Sequence, residues 1–171
     1  LPLDHEIRKI QRLGHAHHIV RLMFLLNFMV LCHICKEDVV QWFMEMVALD
    51  AYPWVMWSNI GAMGLYSDKF MRKPYISTSN YIQRMSNYLD QADHNQKKNK
   101  ENNKEEKDKN NLWTTIWDDL FYHFLHTEEA HIKKHASIYT RNLAFYNKKN
   151  AEEKKRLDEN ASHFIRKVTK G

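Results

Sequence analysis

The chain has few of the residues that make turns and cross-links: four glycines, three prolines and two cysteines among 171 residues. That scarcity argues against a β-sandwich, whose many hairpins consume Gly and Pro. Two cysteines cannot build a disulfide-stapled scaffold, and a zinc site of the usual kind needs a second pair. Cys32 and Cys35 stand as Cys-x-x-Cys after an apolar run and read as reduced thiols at a helix end. No apolar run reaches the ~20 residues that a membrane span requires. The longest, residues 19–35, is interrupted by Arg21 and Asn27. A basic–apolar–small-residue leader is also missing, so the expectation is a soluble intracellular protein, cytoplasmic or nuclear, with no membrane partner. The chain opens Leu1-Pro2-Leu3 rather than with methionine, which reads as a piece of something longer.

What is present fits an all-α domain. Eight Met, eight Phe, eight Tyr and five Trp suit helices packed through thioether and aromatic side chains. The length allows one domain with a real core. The formal charge of +5 hints at an anionic partner, although much of the lysine lies in two polar stretches.

Along the chain, a short helix from Asp4 to about residue 12 is expected, broken by Gly14. A buried helix follows over 15–33. Lys36-Glu37-Asp38 then starts a third, with Val39, Val40, Trp42, Phe43, Met46, Val47 and Leu49 on its apolar face. An aromatic, irregular segment runs from Asp50 to Pro74, and Ser77, Thr78 and Ser79 offer caps for a helix over 80–89. The Lys/Asn/Glu tract cannot bury a face and is expected to be disordered. Further helices are expected over 112–134, 137–146 and 151–168, the last with Leu157, Ala161, Phe164, Ile165 and Val168 as its apolar stripe. The organisation is then a helical core over 1–92, an insertion over 93–111 and closing helices of the same domain over 112–171.

Chemistry concentrates at His17, His18 and Arg21. Arg21 opens a helix that is apolar on nearly every side, and a buried guanidinium needs a carboxylate or an anionic ligand. Arg21 lies one turn beyond both histidines, so the three heads can meet. The plainer alternatives are core histidines bonded to carbonyls and a purely structural ion pair. His123, His126, His131 and His135 have spacings that a metal could use, but Lys133 and Lys134 intervene and a solvated helix face is the better reading, so no metal site is expected.

Five ordered strings carry a family resemblance. They are His17-His18-Ile19-Val20-Arg21-Leu22-Met23, Gln41-Trp42-Phe43-Met44, and Asp50-Ala51-Tyr52-Pro53-Trp54-Val55 with Ser58-Asn59. Then come Lys73-Pro74-Tyr75-Ile76-Ser77 with Asn80-Tyr81-Ile82, and Met85-Ser86-Asn87-Tyr88. Together they resemble the C-terminal FAD-binding half of the photolyase/cryptochrome family, nearest its bacterial iron–sulfur branch. A weaker match continues through Trp113, Trp117-Asp118-Asp119-Leu120-Phe121 and Arg141-Asn142-Leu143. The resemblance implies an all-helical FAD domain that uses light to send an electron from reduced FAD to a pyrimidine dimer flipped out of UV-damaged DNA. It implies that His17 and His18 face the lesion, with His18 the proton-handling group. Arg21 and Asp50 would form the ion pair beside the flavin ring, and Asn59 would lie near the flavin. Trp42 would relay electrons, and Tyr75 would line the substrate pocket. The histidine pair leans toward (6-4) photoproducts as the lesion.

The departures from the family pattern matter too. The cluster-bearing relatives carry cysteines after the Met-Ser-Asx-Tyr string and one further upstream. Here Tyr88 is followed by Leu89-Asp90-Gln91-Ala92 and the chain start shows Leu1-Pro2, so no iron–sulfur cluster is expected. Met56 and Phe43 replace a polar and an electron-relaying side chain. The family's antenna domain and most of its phosphate-binding loop are not in this chain, so a separate chain would have to supply them. The alternatives are an inactive remnant, a cryptochrome-type light sensor, or a helical nucleic-acid-binding module without flavin.

Overall fold

The computed structural model describes residues 2–47, 76–86, 103–135 and 139–169. Every regular element among the described residues is helical. The first, α1 (Pro2–Leu13), starts ahead of Asp4 because Pro2 suits a first helical position, where no N–H is needed. Asp4 falls in the first turn and pairs with Arg8 one turn on, at 3.0 Å. Gly14 closes the helix with φ 61°, its N–H on Ile10 O at 2.7 Å.

The expected buried helix is present but is not uniformly α. It contains a π-helical stretch, Val20–Leu26, continued by α2 (Asn27–Leu31). Leu25, Leu26 and Leu31 are fully buried, each worth about 1.5–3 kcal/mol against exposure. Cys32 ends α2, and the next two residues wrap back on it. His33 N–H reaches Val30 O and Ile34 N–H reaches Met29 O, both at 3.0 Å. This wrap needs a left-handed residue, and His33 supplies it with φ 53°.

Helix α3 (Lys36–Met46) begins where its acidic first turn predicts, burying Val39 and Phe43 while Trp42 is half-buried. Helix α4 (Ser79–Arg84) is capped by Thr78, whose hydroxyl accepts from Tyr81 N–H at 3.3 Å. The long helix expected over 112–134 is two elements, α5 (Asn103–Thr127) and α6 (Glu129–His135), with Glu128 between them. Helix α5 starts at Asn103, inside the Lys/Asn/Glu tract. Lys and Glu are strong helix formers, and a polar stretch can extend a helix that is packed further along.

Helices α7 (Thr140–Asn147) and α8 (Ala151–Thr169) close the chain. Asn150 caps α8 by accepting from Glu153 N–H at 2.7 Å. Leu157 and Ala161 are buried and Phe164 and Ile165 partly so. Val168 is 39% exposed, so the expected stripe ends one turn early. The core sits where α2, α5 and α8 meet. Trp117 stacks on Phe24 with ring centres 5.4 Å apart, and Phe28 meets Phe164 edge-on at 6.1 Å. No helix among the described residues is long and apolar enough to cross a membrane.

Candidate functional site

His17 and His18 stand exposed just ahead of the π-helical stretch, their rings 4.4 Å apart and tilted by 37°. Ile19 N–H donates to His17 Nδ1 at 3.3 Å, so the His17 ring helps to cap the helix start. Neutral His17 therefore carries its proton on Nε2. Arg21 N–H bonds back to His17 O at 3.0 Å, which fixes Arg21 one turn in. Its side chain turns inward and is 7% exposed. The structure pairs the histidine rings at the surface and buries the arginine one turn on.

Trp42 lies on α3 and meets Phe43 edge-on at 5.1 Å, an ordinary packing contact for a half-buried indole. Asp50, Asn59 and Tyr75, with Met56, lie outside the described residues, so the Arg21–Asp50 pairing stays an expectation from sequence.

The most thoroughly built polar feature is one the sequence only hinted at. Ile76 and Ser77 lie outside any helix in an otherwise helical setting, so their backbone groups need partners from elsewhere. Tyr139 Oη accepts from Ile76 N–H at 2.5 Å and donates to Ile76 O at 3.2 Å. Trp117 Nε1 donates to Ser77 O at 2.9 Å. Asn27 Oδ1 accepts from Ser77 N–H at 2.5 Å and lies 2.7 Å from Ser77 Oγ. The single Ser77 hydroxyl proton is shared between Asn27 Oδ1 and Met23 O. Asn27 in the middle of an apolar run was the visible signal, but its partner fifty residues on was not.

Beside this junction lies a cavity of about 230 Å³, walled by Ile19, Val20, Met23 and Phe24 on one side and Tyr81, Ile82 and Met85 on the other. Glu6 and Ser86 add polar atoms at its edge. The Glu6 carboxylate is also within 3.8 Å of Lys9 Nζ.

The second histidine group is not a solvated face throughout. His123 is mostly buried, with Nδ1 2.9 Å from Asp158 Oδ1 on α8, and His126 Nδ1 lies 3.8 Å from Oδ2 of the same carboxylate. Tyr146 donates to that Oδ2 at 3.1 Å, and burial together with the Asp158 charge pushes its phenol up to about 12. The helical periodicity of α5 left the side facing α8 undetermined. Among the described residues no group of three or more His, Cys, Asp or Glu is arranged to hold a metal.

Comparisons with known proteins fit this helical unit. The chain is 44% identical over 79 residues to a (6-4) photolyase of Agrobacterium fabrum, which supports a photolyase-related region within it. That match covers 45% of the chain and only 15% of the photolyase's length. It is also 36% identical over 119 residues to an uncharacterized protein of Acanthamoeba polyphaga mimivirus, covering 68% of this chain and 80% of the viral protein. The chain belongs to the same family as that mimivirus protein. No protein-family model matches it.

Proposed function

We propose that this chain is the C-terminal part of a photolyase-like flavin site that acts on UV-damaged DNA, with (6-4) photoproducts the favoured lesion. The observation that carries the reading is the 44% identity with a (6-4) photolyase. Kinship with the bacterial iron–sulfur branch, here without cluster cysteines, rests on the order of the sequence strings alone. In this reading His17 and His18 face the lesion. The resemblance makes His18 the proton-handling group, with His17 Nδ1 held by the Ile19 amide beside it. Arg21, with Asp50 and Asn59, would hold FAD, Trp42 would carry electrons and Tyr75 would line the substrate pocket.

The residues present suit that cofactor at one point. A guanidinium more than nine-tenths buried, on the helix that presents the histidine pair, matches the negative charge of a reduced flavin. FAD, when bound, supplies the photoexcited electron. This chain's residues supply orientation, charge balance and a proton. A separate chain would contribute the antenna domain and phosphate-binding part.

The test is to purify the chain alone and with a chain carrying the missing half, record the absorption spectrum, and illuminate each with UV-irradiated DNA. A blue flavin band that survives gel filtration, with light-dependent repair, is expected for the pair. No flavin band even with the partner present would sink the reading. One observation favours a second reading, a free-standing helical module or light sensor: the matched 119 residues make up 80% of the mimivirus protein, which is therefore shorter than this chain. Salt-dependent binding to DNA with no preference for lesions would support it.

A further inference from the structure

We propose that Asn27 and Ser77 are positioning residues that hold the π-helical register and so set where His17, His18 and Arg21 stand against the core. A π-helical stretch is rare, because the α register normally gives better hydrogen bonds, so something must hold it. In an α-helix the Asn27 N–H would bond to Met23 O, four residues back. Here it is directed at the carbonyls of Leu22 and Phe24 and passes over Met23. The Met23 carbonyl is instead taken by the Ser77 hydroxyl.

The two residues form a mutually dependent lock. The Asn27 side chain recruits Ser77 through its amide and hydroxyl, and the Ser77 hydroxyl then occupies the acceptor that the Asn27 amide would otherwise use. Trp117 and Tyr139 hold Ser77 and Ile76 from the far side, so the hydroxyl has little freedom to leave. Asn27, Ser77, Trp117 and Tyr139 are buried and Met23 is partly so, which makes water a poor substitute for most of these bonds.

The consequence reaches the candidate site because α2 is fixed in the core while the histidines precede the π-helical stretch. Reversion to the α register removes one residue's worth of slack. Relative to α2, residues ahead of the junction then turn by about 100°. Arg21 would leave its buried position, and His17 and His18 would turn with the helix start to a different place on the surface. The functional meaning of this placement rests on the flavin reading above, whereas the lock itself does not.

The experiment measures couplings across hydrogen bonds by NMR in the 171-residue chain. In the wild type the Asn27 amide couples to the Leu22 carbonyl carbon. In Ser77→Ala the coupling moves to the Met23 carbonyl carbon, the His17 and His18 ring signals shift, and the His163 ring on α8 does not. Ser77→Thr keeps the hydroxyl and restores the wild-type pattern. Where FAD binds, its dissociation constant rises about tenfold in Ser77→Ala and recovers in Ser77→Thr, as expected for the loss of one buried hydrogen bond. A wild-type chain whose Asn27 amide couples to Met23 overturns the proposal without any variant, and so does a Ser77→Ala chain with unchanged couplings and histidine signals. A wild type that never binds FAD defeats the flavin reading while the couplings still decide the lock.

Discussion

Asn27 Oδ1 lies 2.5 Å from the Ser77 amide nitrogen and 2.7 Å from its hydroxyl, so one buried side chain joins segments fifty residues apart. The contact links the most apolar helix to the chain that leads into α4. A non-helical segment inside a helical protein has no intrahelical partners for its backbone, and Asn27, Trp117 and Tyr139 take over that task.

Removing either end of this contact should therefore be costly. Asn27→Leu leaves the Ser77 amide buried without its acceptor, and Ser77→Ala strips the Met23 carbonyl of its donor. Each is expected to cost about 1–3 kcal/mol. The double variant should cost less than the sum, because both changes break the same network. Urea unfolding of the wild type, the two single variants and the double variant measures this, and strictly additive losses would count against the shared network.

The two cysteines should react very differently. Cys32 is fully buried at the end of α2 and desolvation pushes its thiol up to about 12, whereas Cys35 is exposed ahead of α3. A thiol reagent should label one cysteine per folded molecule, and Cys35→Ser should abolish that labelling. Both should react in denaturant. Rapid labelling of Cys32 in the folded chain would contradict the burial described above.

Much of this fold is legible in the sequence, because helical periodicity and end signals are local. The acidic first turn of α3, the Gly14 stop and the start of α8 at Ala151 fall where those signals put them. What escapes is set by contacts between distant segments. Nothing in Val20–Leu26 announces a π register, since that depends on a hydroxyl at residue 77. The histidines of α5 looked solvated because the position of α8 cannot be read from their own spacing. Of the candidate site, the histidine pair and a buried Arg21 were legible, but the surface position of both histidine rings was not.

Asp158 gathers His123, His126 and Tyr146 around one carboxylate, and Tyr146 reports on it. Burial is the larger cause of the raised phenol and the Asp158 charge the second, so Asp158→Asn should lower the Tyr146 pKa from about 12 while leaving it above the ordinary 10. The folded pKa is raised, so the stability it contributes is complete below pH 10 and is lost as pH climbs toward 12. The loss of stability between pH 10 and pH 12 should therefore be shallower in Asp158→Asn than in the wild type. NMR titration of the Tyr146 ring carbon checks the shift, and an unchanged titration would remove Asp158 from the account.

His33 combines a backbone strain with a titration. It is the non-glycine residue at φ 53° in the wrap that ends α2, and its ring lies 5.4 Å from that of Phe124 and 6.0 Å from that of His123. His33 is exposed on one side, but partial desolvation beside these rings lowers its pKa from the ordinary 6.5, and His123 lowers it further while Glu128 opposes both. A histidine whose folded pKa is depressed protonates more readily when unfolded. Its stabilising contribution is therefore complete above pH 6.5 and is lost as pH falls from there through the folded pKa. His33→Gly should relieve about 1 kcal/mol of left-handed strain, give up the ring contacts, and remove this share of the acid sensitivity. Urea midpoints between about pH 8 and about pH 5 should fall less steeply for His33→Gly than for the wild type. Parallel curves would show that the acid response arises elsewhere.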